Sequence, residues 1–491
     1  LSGFRWTAGE VERALESVRG TADGRGQGTG DRGQPATAGL VFSSVSTDTR
    51  KIEPGSLYVA LKGESFDGHD FLAQAAEAGA TGAVVAHVPD GAPGSLAYYR
   101  VSDTLHALGA LGRHRRRALA GKVVAVAGSN GKTTTKDLLR AALSPRFRVH
   151  ATTGNLNNQI GAPLTLLAAP DDAEVVVVEV GTNEPGEIAI LGAIVEPDAA
   201  VITSIGEEHL EGLGSVEGVL EEELAILPHV RPGGVAVVAE DPAGLPERAA
   251  QMVGGMRLRV AGFGEAASVR PEGGEAGIEV LPGGATRWTF RGARIDLPLP
   301  GMHNVRNALI ALGVSAEFGV PVEDSARSIA AMAAPKMRNE WRRVGGLNVL
   351  ADCYNANPPS TRAAIDLLAS LPGDVRKVAI LGTMRELGDH AADLHRSVLE
   401  SALSRLGGGI DRLVVTGDFV AALGDGAGDD VIAVEDPLEA YASLRPLLKG
   451  DETILLKGSR GVALERIIPL LENDFAGTGP KDATHTAHAG A

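Results

Sequence analysis

The segment Val123-Val-Ala-Val-Ala-Gly-Ser-Asn-Gly-Lys-Thr-Thr-Thr-Lys136 sets a short apolar run before a glycine-bearing turn and a helix-compatible stretch. That order suits phosphate binding. Backbone N–H groups of Gly128, Ser129, Asn130 and Gly131 can converge at a helix N-terminus, where the helix dipole adds positive potential. Lys132 is expected to reach terminal phosphates, the Thr133 hydroxyl to ligate the Mg²⁺ that bridges them, and Thr134 to add a contact beside it. The G-x-x-x-x-G-K-[ST] pattern is incomplete, because Val126 holds the place of its first Gly, so an ordinary strand-to-helix turn stands as the competing reading. Glu179 ends a second apolar run and His209 follows a third by a few residues. In an open α/β sheet both belong at the carboxyl edge, where ligands bind. A carboxylate with an imidazole suits a divalent cation, and a solvated loop histidine is the other reading of His209. Asn304 and Asn307 stand three apart at a helix start, hence on one face, where Asn also caps helices.

The elements that must hold these groups show in the patterning. Apolar runs at 123–128, 175–181, 199–206 and 235–238 read as strands buried on both faces, so a parallel, doubly wound sheet is expected from 119 to 334. The Gly-punctuated stretch 258–299 is more β-like and is expected to extend that sheet. A second α/β block at 335–475 repeats the rhythm with runs at 348–353, 377–382, 412–417 and 453–458. Before these, 1–118 reads as a small α/β domain, with a helix at 4–17, strands at 57–61 and 82–86, and a helix at 71–78. The stretch 18–39 reads as a flexible insertion and 476–491 as a disordered tail. The fold class is therefore α/β in three domains: a small N-terminal one, a central mononucleotide-binding (P-loop) one and a C-terminal Rossmann-like one.

Composition narrows the function. In 491 residues, 46 Lys and Arg face 62 Asp and Glu, and a net charge of −16 disfavours general nucleic-acid binding. Aromatic residues at 4 % also disfavour a stacking platform for single strands. No apolar window approaches a membrane span, and the single Cys353 with no secretory leader pattern points to the cytoplasm.

With blocks elsewhere in the chain, the phosphate loop resembles that of the ATP-dependent Mur ligases, T-G-[ST]-N-G-K-T-[ST], with Ala127 here replacing the first Thr. The likeness runs in the family's order from about residue 40 to 470: Ser46-Thr-Asp-Thr-Arg50, Asp67-Gly-His69, Gly154-Asn-Leu-Asn-Asn158, Glu179-Val-Gly-Thr-Asn183, His209-Leu-Glu-Gly-Leu-Gly-Ser215, Gly301-Met-His-Asn304 with Asn307, Asp352-Cys-Tyr-Asn-Ala-Asn-Pro358, Glu386-Leu-Gly388 and Lys457-Gly-Ser-Arg-Gly461. The 352–358 block brings it nearest the members that add D-alanyl-D-alanine to UDP-N-acetylmuramoyl-tripeptide. The resemblance implies an ATP- and Mg²⁺-dependent amide ligase of peptidoglycan precursor synthesis, working through an acyl phosphate, with small-molecule partners and no nucleic acid or membrane span. It also implies a cytoplasmic monomer, with ATP between the second and third domains. A sister ligase adding diaminopimelate, lysine or glutamate is the nearest rival, and a non-catalytic nucleotide-binding scaffold the rival of another class.

The same resemblance implies roles for single residues. Glu179 and His209 would contact Mg²⁺. The family's carbamylated lysine falls on Glu223, so either Glu223, or Glu222 by a small helix shift, supplies that carboxylate, or the second-metal site is weakened; a solvated acidic face at 221–223 is the alternative. His303, Asn304 and Asn307 would lie on the adenine side, and Arg338 and Asp352 would approach ATP. Tyr354, Asn355 and Asn357 would sit near ATP or the incoming amine, with turn chemistry as their alternative. Thr47, Asp48 and Arg50, with Asp67 and His69, resemble part of the UDP-sugar site, though a structural ion pair also explains Arg50. Asn157, Asn158 and Ser459 are expected at the substrates.

Overall fold

Runs such as Val175–Glu179 and Val235–Ala239 carry no polar face, and every residue of both is buried, as strands covered by helices on both sides require. The computed structural model describes residues 5–19, 39–242, 244–252, 254–424 and 428–477. They form two compact units. One takes the chain through Ile205 with Leu220–Arg270 and Asn307–Ser328, and the other takes Gly206–Val219, Pro271–Arg306 and the chain from Ile329 onward.

The first unit holds a sheet of six parallel strands in the order Arg257–Ala261, Val235–Ala239, Ala199–Ile202, Lys122–Ala127, Val175–Glu179, Val149–Ala151. From Lys122–Ala127 the chain runs through helix Lys132–Leu143 to one edge of the sheet. From Val175–Glu179 it crosses to Ala199–Ile202 on the opposite side of Lys122–Ala127. The direction of winding thus reverses around the strand that carries the phosphate loop, which is where open α/β sheets bind ligands. The expected extension of this sheet by 258–299 is half right: Arg257–Ala261 joins it as a strand, and Val269 adds an isolated parallel bridge to Ala261. Glu279–Val280, Thr286–Phe290 and Ala293–Leu297 pair antiparallel in a sheet of their own within the second unit.

A four-stranded parallel sheet, Val45–Ser46, Leu57–Val59, Gly82–Val85 and Ala97–Arg100, also lies in the first unit. The helix expected at 4–17 is shorter. Thr7 and Glu10 form a capping box that starts it at Ala8, while Trp6–Thr7 pairs as a strand with Val41–Phe42. The insertion and tail expected at 18–39 and 476–491 fall, apart from their edges, outside the described residues. Helix Thr104–Ala118 packs closely on its neighbour because Gly112 has no Cβ; one would lie 2.8 Å from Pro163 Cβ. Arg116 on this helix is fully buried, with Nη2 2.7 Å from Asp198 Oδ2 and Nε donating to Val195 O at 2.9 Å. Arg116→Met removes the guanidinium from Asp198, whose Oδ2 still accepts from Val123 N at 2.8 Å, and is expected to cost about 3 kcal/mol; an unchanged thermal midpoint would contradict this.

The second unit is built on six strands in the order Glu340–Val344, Leu347–Asp352, Thr453–Lys457, Lys377–Leu381, Arg412–Val415, Val431–Ala433, parallel except for the first pair. Here the expected α/β rhythm is what the chain adopts. Among the described residues no helix is long and apolar enough to cross a membrane.

Candidate active site

Strand Lys122–Ala127 ends in a turn that only glycine can make at two places. Gly128 has φ +115°, and a Cβ on it would sit 2.4 Å from Thr203 Oγ1; Gly131 has φ +85°, with Asn307 Oδ1 2.5 Å from the same imagined atom. The turn is then fastened from inside the protein. Gly128 N donates to Glu223 Oε2 at 2.7 Å, Ser129 N to Ser204 O at 2.8 Å and Asn130 N to Ser204 Oγ at 2.9 Å. This corrects the expectation that these three amides cradle phosphate. Gly131, Lys132, Thr133 and Thr134 open helix Lys132–Leu143, and their N–H groups have no partner in its own ladder. Lys132 Nζ donates to Gly128 O at 2.6 Å and Ser129 O at 3.2 Å, so the ammonium is folded over the turn.

On the next strand, Glu179 is 2 % exposed. Its Oε1 accepts from Thr133 Oγ1 at 3.2 Å and Asn157 Nδ2 at 3.1 Å, while Oε2 has no hydrogen-bond partner. A buried carboxylate oxygen without a donor is unusual. Beside a threonine hydroxyl at a helix N-terminus, it fits a hard divalent cation with oxygen ligands. Among the described residues no group of three or more His, Cys, Asp or Glu side chains could hold a metal ion. Thr133 and Glu179 meet. Glu223 instead takes the Gly128 amide. His209, at φ +51°, belongs to the second unit and has Nδ1 2.8 Å from Glu386 Oε2 and Nε2 3.2 Å from Glu208 Oε1.

The acidic run at 221–223 divides. Glu221 is exposed beside Arg248, at 3.3 Å, as a solvated face would be. Glu222 and Glu223 are buried, which overturns that reading for both. Glu222 accepts from Gly186 N and Ile188 N, each at 2.7 Å, and so caps helix Glu187–Val195 rather than facing a metal.

In the second unit, His303, Arg338, Asp352 and Tyr354 do come together. His303 Nε2 lies 2.9 Å from Asn339 Nδ2, Asn339 N donates to Asp352 Oδ1 at 3.3 Å, and Asp352 Oδ2 pairs with the buried Lys457 Nζ at 2.8 Å. Burial pushes the His303 imidazole down to about 4, against the pull of Asp352. The Arg338 guanidinium stacks 4.2 Å from the Tyr354 ring centroid. Asn304 Nδ2 donates to Pro300 O at 2.8 Å, a helix-start role, while Asn307 lies in the first unit against Gly131. Asn355 Oδ1 accepts from Ala356 N, and Asn357 caps helix Pro358–Ser370. Ser459 is buried, accepting from Arg385 N at 3.0 Å. Cys353 is buried and its thiol is pushed up to about 12, so it offers no nucleophile.

At the edge of the four-stranded sheet, Thr47 is half-buried and Asp48 holds exposed Arg50 through two hydrogen bonds of 2.9 Å. The guanidinium keeps the Asp48 carboxyl down at about 2. His69 is committed within the fold: Nδ1 meets Asp67 Oδ1 at 2.5 Å and Nε2 accepts from Ala86 N at 2.9 Å. That corrects its expected substrate contact, since neither ring nitrogen is left over. Asn158 Oδ1 accepts from Ile160 N and Gly161 N and so fixes the start of helix Gly161–Ala168, while Asn157 reaches Glu179.

Sequence reasoning missed Thr203 and Ser204, which fasten the turn, and gave no role to Lys457, Asn339 or Lys136. The hydroxyl pair directly after an apolar run was the available sign of the first two. For Lys457, the sign was a second strand ending in a charge opposite to that of Asp352, its register partner.

Three family models match in order: "Mur ligase family, catalytic domain" over residues 41–116, "Mur ligase middle domain" over 126–315, and "Mur ligase, glutamate ligase domain" over 337–460. The chain is 37 % identical to the UDP-N-acetylmuramoyl-tripeptide--D-alanyl-D-alanine ligase of Bacillus subtilis, over 93 % of this chain and 97 % of that one. It is 35 % identical to the Escherichia coli ligase of the same name, over 90 % and 96 %. A crystal structure of MurF from Acinetobacter baumannii superposes with a TM-score of 0.83 at 31 % identity, covering 96 % of this chain and 100 % of that one. A MurF ligase from Thermotoga maritima in complex with ADP gives 0.76 at 26 % identity, covering 88 % and 97 %.

Proposed function

The chain belongs to the Mur ligase family, and we propose that it joins D-alanyl-D-alanine to UDP-N-acetylmuramoyl-tripeptide at the expense of ATP. The observation that carries the chemistry is the junction of the phosphate loop, Thr133 and the half-satisfied Glu179 at the switch point of a parallel sheet. The likeness to ligases of that name over nine-tenths of the chain supports the substrates. The γ-phosphoryl group passes from ATP to the tripeptide's terminal carboxylate, giving ADP and an acyl phosphate. The free amine of D-alanyl-D-alanine attacks that carbonyl carbon, a proton leaves the nitrogen, and inorganic phosphate departs from the tetrahedral adduct as the amide forms.

Binding and charge placement account for the catalysis, so no serine or cysteine nucleophile is called for. The first-turn amides of helix Lys132–Leu143 orient the phosphates, and Lys132 turns from the loop carbonyls to meet charge developing on the transferred group. Thr133 and Glu179 would hold Mg²⁺, which would supply neutralisation of phosphate charge. His209 is left out of that set because both its ring nitrogens face carboxylates, and a ligand nitrogen needs its lone pair. We assign His303, Asn304, Asn307, Arg338 and Asp352 to the nucleotide, and Tyr354, Asn355, Asn357 and Ser459 to the tripeptide or dipeptide side. Thr47, Asp48, Arg50 and Asp67 are assigned to the UDP moiety, where Arg50 suits a diphosphate. The boundaries 1–118, 119–334 and 335–475 are taken as UDP-sugar, ATP and C-terminal ligase domains, supported by the three matched models. We take the enzyme to act in the cytoplasm, and as a monomer.

The test is phosphate release with each substrate alone and with both. Release is expected only when the tripeptide nucleotide and D-alanyl-D-alanine are present together, and a preference for free diaminopimelate, lysine or glutamate would replace this assignment by a sister ligase. Glu179→Gln is expected to raise the Mg²⁺ concentration for half-maximal activity by about tenfold or more. A wild-type Mg²⁺ titration in that variant would remove Glu179 from the metal.

A further inference from the structure

Lys136 lies one helical turn beyond Lys132 and is only 4 % exposed. A buried ammonium is costly unless anions compensate it. Two carboxylates do so here: Asp137 Oδ1 at 3.8 Å and Glu179 Oε2 at 3.9 Å. Neither distance is a hydrogen bond, so the Glu179 contact is one of charge alone. Oε1 of Glu179 is taken by Thr133 and Asn157, and Oε2 faces the ammonium with no hydrogen-bond donor. The carboxylate is thus neutralised on the side where its coordinating lone pairs remain unused.

We infer that Lys136 is the resident counter-cation of Glu179 and sets how tightly a divalent cation binds there. The inference rests on the reading of Thr133 and Glu179 as the metal-holding pair. A metal ion arriving at Glu179 meets an ammonium only a few ångströms away in a buried, weakly screened setting, where like charges repel strongly. Bare metal therefore binds poorly. A nucleotide brings phosphate charge that offsets Lys136, so metal and nucleotide arrive together. Lys136 acts through Glu179 and is a positioning residue.

Mn²⁺ binding to the full chain without nucleotide or substrate, followed by electron paramagnetic resonance, tests this apart from ligation. Lys136→Met is expected to bind Mn²⁺ about tenfold or more tighter than wild type, the size of change that groups around a metal site produce. Lys136→Arg, which keeps the charge, is expected to stay at the wild-type affinity, and the gap between Met and wild type should narrow when ADP is added. Lys136→Gln serves the same purpose should the Met variant not fold. Unchanged or weaker Mn²⁺ binding in both neutral variants overturns the inference. Mn²⁺ binding that survives Glu179→Gln overturns it too, by removing the metal from Glu179, and leaves the ligase reading to its own substrate test.

Discussion

Lys132→Ala is expected to lower the ligation rate on the order of 10²-fold or more, the usual cost of deleting one group aimed at developing transition-state charge, with little change in thermal midpoint. Lys132 sits at the first position of helix Lys132–Leu143, part-buried, and its ammonium donates to the carbonyls of Gly128 and Ser129. Its removal withdraws charge from the nucleotide site without opening a cavity in the core. The loop keeps its shape because Glu223, Thr203 and Ser204 hold it independently. Rate and stability should therefore separate. Lys132→Arg is expected to recover only part of the rate, since a planar guanidinium does not replace a point charge at the same reach. Retention of more than about half of the wild-type rate by the Ala variant, against the loss expected for such a group, would remove the phosphate-loop assignment.

How far such a site can be read from sequence depends on whether the deciding contacts are local. Strand Val175–Glu179 was legible because burial on both faces leaves an unbroken apolar run, and Glu179 was legible because it ends that run. The phosphate turn was legible for the same reason, with its glycines at the two positions of positive φ. The partners of its amides were not, because Gly128 bonds to a carboxylate 95 residues away and Asn130 to a hydroxyl 74 away. The run Glu221-Glu222-Glu223 shows the limit most sharply. Three like residues in a row have one composition and three environments, an exposed ion pair, a helix cap and a loop clamp, and nothing in their spacing separates them. His69 is a similar case, a histidine whose polar partners are an aspartate two residues back and a distant backbone amide. Residues 258–299 misled for another reason. Antiparallel strands with alternating burial, such as Thr286–Phe290, carry no mark of which sheet they join.

Glu223→Ala is expected to cost activity on the order of tenfold to a hundredfold, the kinetic equivalent of the roughly 1–3 kcal/mol that a buried donor loses with its acceptor. The carboxylate is 2 % exposed and accepts from Gly128 N at 2.7 Å, at a residue whose φ of +115° already demands glycine. Without it the first amide of the turn is unpaired, and the carbonyls that steady Lys132 are less firmly placed. Glu223→Gln separates the two possible uses of the side chain. An amide oxygen can still accept from Gly128 N, so a clamp survives the change and most of the rate with it. A negative charge needed near the metal does not survive it, and Gln then behaves like Ala. The clamp geometry favours the first outcome. Because the carboxylate is encoded rather than formed reversibly from CO₂ and a lysine amine, stripping bicarbonate is expected to leave the wild-type rate unchanged. Glu223→Lys is expected to be inactive, since it sets a buried cation against an N–H donor beside the phosphate site. If Glu223→Ala turns over as fast as wild type, Thr203 and Ser204 alone hold the turn and Glu223 has no part in positioning Lys132.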